Sequence, residues 1–434
     1  MAERAIRVGL LGLGTVGGGV ARLLLEKRAE LADRLGAPLE LARAVDLRAE
    51  PAAELELPEG VYAPDPAAVI DDPDIDIVVE LIGGLEPARS LVLAALEAGK
   101  AVATANKALL AHHGREIFAA ARRRGVGVAF EASVGGGIPL IRSLREGLAA
   151  NRVEQVLGIL NGTCNYILTR MTAEGAAFAQ VLAEAQAAGY AEADPSFDVD
   201  GVDTAHKLAI VAALVTGRQP EVDDIPVEGI RDIDSLDIQL AGEFGYKVKL
   251  LALLRNHGER VEARVHPALV PEGHVLSSVD GVFNALHLTG DWVGDVLLYG
   301  LGAGRRPTAS AVVGDVLELA RDLRHGAGGR VPPLGVARGG GGRLELMPLA
   351  EARCRYYCRF TAKDQPGVLA AISRILADHA ISIQAVIQKG RREGADVPIV
   401  MLTHTAREAE MRGALEQIDR LPVISRPTVL LRRA

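Results

Sequence analysis

Residues 189–207 gather five carboxylates, Glu192, Asp194, Asp198, Asp200 and Asp203, ahead of a single lysine, Lys207. The run that follows, Leu-Ala-Ile-Val-Ala-Ala-Leu-Val, is apolar on nearly every side and predicts a buried helix. Asp203 and Lys207 stand four apart and share one face of it. Burial disfavours an ammonium, lowering its proton affinity towards neutral pH, and a lysine so placed can act as an acid. A plainer reading fits the same residues: an i,i+4 ion pair beneath helix-capping acids.

An acid needs elements that bring it a substrate, and the N-terminal third offers them. Residues 6–11 read as an apolar strand running into Gly12-Leu-Gly14-Thr15-Val16-Gly17 and then into helix as far as about Arg34. G-x-G-x-x-G between strand and helix predicts a dinucleotide site, with a tight turn and a pyrophosphate at the helix N-terminus. A glycine-rich turn of another α/β fold is the alternative. A second strand, residues 39–45, ends in Asp46, where an acid would hold the ribose hydroxyls of NAD. Arg48 would instead pair with the 2′-phosphate of NADP, so the two residues argue in opposite directions.

Residues 74–82 read as a buried parallel strand, followed by a Gly83-Gly84 turn, a helix over 87–98 and a strand over 101–104. Lys107 then stands beyond a strand's carboxyl end, where such sheets bind ligands; a surface lysine at a helix start would look the same. A further strand over 127–130 opens Glu131-Ala-Ser-Val134-Gly-Gly136-Gly-Ile138-Pro139. Its free carbonyls suit a small cation, or the stretch is an interdomain hinge.

Beyond a helix over 140–149 and a strand over 153–160, residues 161–166 turn into another helix. There Thr163 and Asn165 are placed to bond a substrate or to cap the helix. After the buried Lys207 helix come a strand over 246–255 and alternating segments at 260–266 and 274–279. A pair at 285–288 and 295–299 completes an open sheet backed by helices. Residues 300–304 form a glycine loop that could close on the cofactor, and a helix over 308–324 follows. Residues 326–350, with Gly339–Gly342 inside, read as a linker. The tail reads strand (355–360), helix (367–379), strand (382–388), strand (398–404), helix (407–421) and strand (425–430). That is a ferredoxin-like βαββαβ unit with no acid–base cluster, regulatory or structural in kind.

The 434 residues suffice for two or three domains, with a hydrophobic content of 49% and a net charge of −8. No apolar run approaches a membrane span. No basic run exceeds Arg122-Arg123-Arg124, which argues against a nucleic-acid partner. Cys164, Cys354 and Cys358 make neither a disulfide framework nor a metal knuckle, which fits a cytoplasmic protein; the last two read as packing residues on one strand face.

Six segments together resemble monofunctional homoserine dehydrogenases. They are GLGTVG (Gly12–Gly17), TANK (Thr104–Lys107), EASVGGGIP (Glu131–Pro139), GILNGTCNYI (Gly158–Ile167), GYAEADPSFDVDGVDTAHK (Gly189–Lys207) and GAGRRPTASAVVGD (Gly302–Asp315). The tail resembles an ACT domain, with Asp364-Gln-Pro-Gly367 before its first helix. The resemblance implies an α/β protein of three parts. These are a Rossmann-type domain over 1–135, joined by the helix at 308–324; a substrate and dimerisation domain over 136–307; and an ACT domain over 351–434.

It further implies reduction of L-aspartate 4-semialdehyde to L-homoserine with NADP or NAD, NADP being slightly favoured. In that reading Lys207 is the proton donor and Asp203 orients it. Glu192 and Asp198 hold the substrate ammonium, and Gly162, Thr163 and Tyr190 give hydrogen bonds around it. Lys107 neutralises substrate carboxylate or cofactor charge. The cofactor would touch Gly12, Gly14, Thr15, Val16, Gly17, Asp46, Arg48, Thr104, Asn106, Lys107, Gly189 and Gly304. Backbone oxygens of Glu131, Val134, Gly136 and Ile138 would hold Na+. The family further implies a homodimer or homotetramer and threonine as an effector. A dehydrogenase of another amino-acid semialdehyde, or a non-catalytic sensor of dinucleotide and amino acid, are the competing readings.

Overall fold

The computed structural model describes residues 4–258, 260–337, 342–388 and 395–434. The N-terminal third alternates β1 (Ile6–Leu11), α1 (Thr15–Glu26), α2 (Arg28–Leu35), β2 (Leu39–Val45), α3 (Glu50–Glu54), β3 (Tyr62–Ala63), α4 (Ala67–Ile70), β4 (Ile77–Glu80), α5 (Ala88–Glu97), β5 (Ala101–Thr104), α6 (Lys107–Arg124) and β6 (Val128–Ala129). Next come α7 (Leu140–Arg142), β7 (Val153–Ile159), α8 (Gly162–Glu174), α9 (Phe178–Ala187), α10 (Ser196–Val199) and α11 (Val202–Thr216). They are followed by α12 (Ser235–Glu243), β8 (Tyr246–Asn256), β9 (Val261–Pro271), β10 (Phe283–Gly290), β11 (Gly294–Leu301) and α13 (Arg305–Arg324). The tail is β12 (Arg353–Lys363), α14 (Val368–Asp378), β13 (Ile383–Gln388), β14 (Asp396–Thr403), β15 (Ala406–Arg407), α15 (Glu408–Ile418) and β16 (Ile424–Arg433). These elements form two compact units, each assembled from separate stretches of chain.

The first unit takes in residues 1–160, 203–225 and 283–345. Its parallel sheet has the order β3-β2-β1-β4-β5-β6. Strands β4 and β5 are buried along their whole length, as short apolar runs in a two-faced parallel sheet must be. Helix α13 packs on α1, and its Ala309, Val312, Val313 and Val316 enter one core with Leu10, Val20 and Leu24. The expected single helix to Arg34 is instead two: Lys27 leaves helical geometry (φ −105, ψ 24), and α2 ends in left-handed Gly36. The helix expected over 140–149 is likewise short. Only α7 is α-helical, and a π turn over Ser143–Gly147 carries Arg145 inward to Glu318 at 2.6 Å. Strands β7, β10 and β11 form an antiparallel ladder in this unit, with Leu157 opposite His287 and Leu286 opposite Leu298.

The second unit takes in residues 161–202, 226–282 and 346–434. Strands β8 and β9 pair antiparallel, and β16 runs parallel beside β9, with Arg432 opposite Ala268. Strands β12, β14 and β13 continue that sheet. The tail's last strand is thus an integral rung of this unit. Its far face packs Cys354, Cys358, Tyr356 and Phe360 under α14 and α15. Two buried polar knots tie the tail in. Asp237 of α12 accepts from Tyr357 Oη (2.8 Å) and from Arg359 Nε and Nη2 (2.6 and 2.8 Å). Arg432, 1% exposed, bridges Glu408 and Glu228 with contacts of 2.6–2.9 Å.

The segment 274–279 is no strand. The 3-10 turn Val275–Ser278 is capped by His274 Nδ1, and Ser277 Oγ donates to the Glu272 carbonyl; these local bonds win over its alternating pattern. The linker is also more anchored than its composition suggests, because its leucines find cores. Leu334 and Leu344 are buried, and Gln219 exchanges backbone bonds with Gly342 and Leu344. Gly339, Gly340 and Gly341 lie outside the described residues.

Candidate active site

In the first unit the turn after β1 has the geometry a pyrophosphate needs. Gly12 has φ +95, and a Cβ on it would lie 2.7 Å from the Leu81 carbonyl; one on Gly17 would lie 1.9 Å from the Gly12 carbonyl. Gly14 is different, since a Cβ there would meet nothing within 4 Å, leaving an open approach to the first turn of α1. Amides of that turn, at Thr15, Val16 and Gly17, have no i−4 acceptor within the helix and attract an anion. These residues fit a dinucleotide. Beside them a cavity of about 570 Å³ is lined by Gly14, Thr15, Arg22, Arg48 and Arg305. Asp46 stands at the end of β2, but both its oxygens brace backbone: Oδ2 accepts from the Leu13 amide (2.9 Å) and Oδ1 from the Arg48 amide (3.0 Å).

At the ends of β4 and β5, Thr104 Oγ1 donates to Glu80 Oε2 (2.6 Å), and both residues are fully buried. Glu80 also accepts the Ile82 and Gly83 amides, fixing the loop after β4. Asn106 caps α6 by accepting from the Leu109 amide and reaches the Gly84 carbonyl with Nδ2 (2.7 Å). The side chains of Thr104 and Asn106 therefore shape the strand ends, and their backbone is what they could offer a cofactor.

The N-termini of α6 and α11 bring three charges together. Asp203, 1% exposed, takes Lys207 Nζ on Oδ2 at 2.7 Å and Lys107 Nζ on Oδ1 at 2.5 Å. Lys207 also donates to the Leu160 carbonyl at 2.6 Å. Burial alone would raise the Asp203 pKa, but the two ammonium groups outweigh it and hold the carboxyl far below its usual range. His206, beside Lys207, is buried and rests edge-on against His112 of α6, ring centroids 5.0 Å apart at 87°. Burial and His112 lower its pKa to about 4, which leaves it neutral. Such an arrangement can hold an ammonium ready to give up a proton, with a carboxylate that stays charged throughout.

The loop proposed to hold a cation lies in the same unit. Glu131 spends its carboxylate on the amides of Ile141 and Arg142 at the start of α7, and its own amide is held by Asp315 Oδ2 (2.8 Å). Gly136 has φ +53 and sits where a Cβ would press the Gly302 carbonyl at 2.4 Å. The Ile138 carbonyl accepts the Leu140 amide at 2.7 Å, so one of its lone pairs is spent. Glu131, Val134, Gly136 and Ile138, whose backbone oxygens were expected to hold a cation, are all buried. Gly304 precedes α13 with φ 120, at the mouth of the glycine loop.

The second unit holds the remaining predicted residues. Asn161 caps α8, accepting from the Cys164 amide (2.8 Å) and donating to Asp198 Oδ1 (2.7 Å). Thr163 Oγ1 lies 3.1 Å from Asp198 Oδ2 and 2.8 Å from the Tyr190 carbonyl. Asp198, Thr163, Gly162 and the Gly189–Tyr190 turn thus form one polar cluster at the start of α8. The Tyr190 ring, 47% exposed, leans on Tyr166 at 4.9 Å. Glu192 is exposed, its backbone oxygen held by Gln186 Nε2. Asn165 does not face a substrate. It is buried, donating to the Val279 and Gly281 carbonyls and accepting from Lys249, because its helical position turns it away from Thr163.

Sequence reasoning missed Glu80, His206 and Asp315. Glu80 and Asp315 are polar residues inside otherwise apolar runs, and that was the available signal, whereas His206, between Ala205 and Lys207, carries none. Asp315 is fully enclosed, and burial together with Glu131 raises its pKa well above the ordinary value.

Comparison with known proteins agrees with this geometry. Family models match over residues 12–131 (homoserine dehydrogenase, NAD binding domain), 139–317 (homoserine dehydrogenase) and 356–423 (ACT domain). A homoserine dehydrogenase of Neisseria gonorrhoeae is 45% identical over 99% of this chain and 98% of its own. The crystal structure of one from Thiobacillus denitrificans superposes with a TM-score of 0.93 at 46% identity, covering 100% of this chain and 99% of that one. A hyperthermophilic archaeal homoserine dehydrogenase in complex with NADPH aligns with a TM-score of 0.62 at 28% identity, over 73% of this chain and 98% of that one. Fold and site together define an NAD(P)-dependent oxidoreductase acting on a CH–OH group, with an ACT domain in its tail. The chain belongs to the homoserine dehydrogenase family.

Proposed function

We propose that the protein reduces L-aspartate 4-semialdehyde to L-homoserine, in the branch of amino-acid biosynthesis leading to threonine, methionine and isoleucine, with Lys207 as proton donor. The observation that carries this is the buried Lys207–Asp203 contact of 2.7 Å at the head of an otherwise apolar helix. NAD(P)H, when bound, supplies the hydride. As the aldehyde oxygen gains negative charge, Lys207 gives it a proton, and Asp203 keeps that ammonium oriented. Lys107 shares Asp203 and offers positive charge to a substrate carboxylate or to the cofactor. Glu192 and Asp198 hold the substrate ammonium, with Thr163, Gly162 and Tyr190 bonding around it. The cation loop at 131–138 would take Na+ on backbone oxygens.

NADP is the favoured cofactor in this reading. Arg48 lines the cavity at the first turn of α1 together with Arg22, whereas Asp46 is already committed to two backbone amides. Threonine is the proposed effector, received by the cavity of about 370 Å³ that Asp364, Gln365, Pro366, Gly367 and Gln388 line. The protein is proposed to be cytoplasmic and at least dimeric. No helix among the described residues is long and apolar enough to cross a membrane. On β11, Leu297, Tyr299 and Leu301 are 40–52% exposed on one face, and a second copy would cover them.

One assay at 340 nm tests these assignments: L-homoserine with NADP or NAD, with and without threonine, on the wild type and Arg48→Ala. Faster reduction of NADP, inhibition by threonine, and an NADP KM raised about tenfold or more in the variant with little change for NAD are expected. Equal effects of Arg48→Ala on the two cofactors would remove the NADP assignment, and indifference to threonine would remove the effector. Sizing the same sample in solution would expose a monomer.

A further inference from the structure

Helices α6 and α11 are stitched together by more than the Lys107–Asp203 ion pair. One turn and a half further along α6, His112 meets the His206 ring in a T-shaped contact. Just past the end of α11, Gln219 Nε2 donates to the carbonyls of Leu110 and Ala111 (2.8 and 2.6 Å). Gly114 makes room for that side chain, since a Cβ there would lie 2.7 Å from Gln219 Oε1. Arg115 then pairs with Glu221. The contacts nearest the chemistry are therefore two, one ionic and one aromatic. His206 sits three residues after Asp203 and immediately before Lys207, so its packing sets how closely the first turn of α6 approaches that pair.

We propose that His206, held edge-on against His112, is a positioning residue that keeps Lys107 on Asp203 and thereby sets how strongly Asp203 holds Lys207. The inference rests on Lys207 being the proton donor. Asp203 divides its two oxygens between two ammonium groups. If the helices drift apart, Lys107 leaves, and Asp203 is left to Lys207 alone. Lys207 then loses a neighbouring cation and keeps its counter-ion, so its ammonium form is stabilised and its proton is released less readily. A neutral imidazole suits this place: it meets the His112 ring in a T-shaped contact, and it adds no third cation to the two lysines. The charged and titratable groups acting on His206 are His112 and Lys107 from α6, Asp203 from its own helix, and Asp223 beyond it.

His206→Ala separates this role from simple structural support. Turnover should fall by about ten- to a hundredfold, the cost of a misplaced catalytic group, while the KM for NADP stays within about twofold. The alkaline limb of the kcat–pH profile for aldehyde reduction should move up by about one unit, the size of effect a nearby charge exerts. His206→Phe, which keeps a ring edge against His112, should recover most of the turnover and the original limb. His112→Ala, made on the exposed partner, should reproduce the His206→Ala profile, and it carries the test should His206→Ala fail to fold. The double variant should be no worse than either single one. Lower turnover with an unmoved limb would overturn the proposal, as would an unchanged His112→Ala. Should Lys207→Ala retain turnover, it is the donor assignment that fails, whatever the histidine variants do.

Discussion

Lys207→Ala is expected to lower turnover by about 10²- to 10⁴-fold, with NADPH affinity nearly intact. The physical reason is the separation of tasks within the first unit. In the proposed reading the dinucleotide is held by the turn after β1 and the ends of β2, β4 and β5, whereas Lys207 rests between the Leu160 carbonyl and Asp203 on α11. Removing the ammonium deletes the proposed proton source and leaves the glycine turn untouched. Lys107 remains on Asp203, so the buried carboxylate keeps a counter-ion and the fold should survive. Lys207→Arg sharpens the test. Guanidinium preserves charge, but it does not give up its proton at working pH, so it should be nearly as inactive as alanine. Stopped-flow turnover and NADPH fluorescence titration read the two quantities separately. If the alanine variant turned over at a near-normal rate, Lys207 would not be the donor.

Arg432→Met should destabilise the second unit by about 3–5 kcal/mol, the cost of removing one partner of a buried ion pair. Arg432 and Glu408 are each about 1% exposed, and the guanidinium also serves Glu228. Burial alone would raise the Glu408 pKa, yet its bonds to Arg432 hold it below the ordinary carboxylate range. A carboxyl whose folded pKa is lowered adds stability that is present above its unfolded pKa and is lost as pH falls through the folded value. In the variant the sign reverses: with Arg432 gone, burial raises the Glu408 pKa, and acid relieves the penalty by protonating it. The stability gap between wild type and variant should therefore narrow as pH falls from 7 towards 4. Urea unfolding across that range measures it. A gap that stays constant with pH would mean that lost packing, not an uncompensated charge, causes the loss.

Much of this was legible in the sequence because it is local. The bounds of β2 and β5 follow from apolar runs, the dinucleotide turn from glycine spacing, and the Asp203–Lys207 pair from helical periodicity. The tail's strand and helix order is equally plain. Features that depend on distant partners were not legible. Nothing around Arg432 points to Glu228, 204 positions earlier, and nothing near Asp237 points to Arg359. His206 looked like a spacer inside a motif until α6 placed His112 against it. Local pattern also misled in places: the alternation at 274–279 lost to side-chain caps, and Asn165, polar and beside Thr163, points into Lys249.

The parallel pairing of β16 with β9 also bears on how the chain comes to its final form. Residues of β9 leave the ribosome well before those of β16, with the whole of β10, β11 and α13 made in between. The edge of β9 that β16 covers must therefore wait, unsatisfied or solvated, until that synthesis is done, and the cost of closing so long a loop falls late. Glu228 and Glu408 wait with it for the same arginine. The first unit faces a longer version of this delay, since β1 and α1 precede by far the α13 that covers them. Nascent chains of this protein thus carry that exposed strand edge through the last part of their synthesis, which is the interval in which a chaperone would have most to protect.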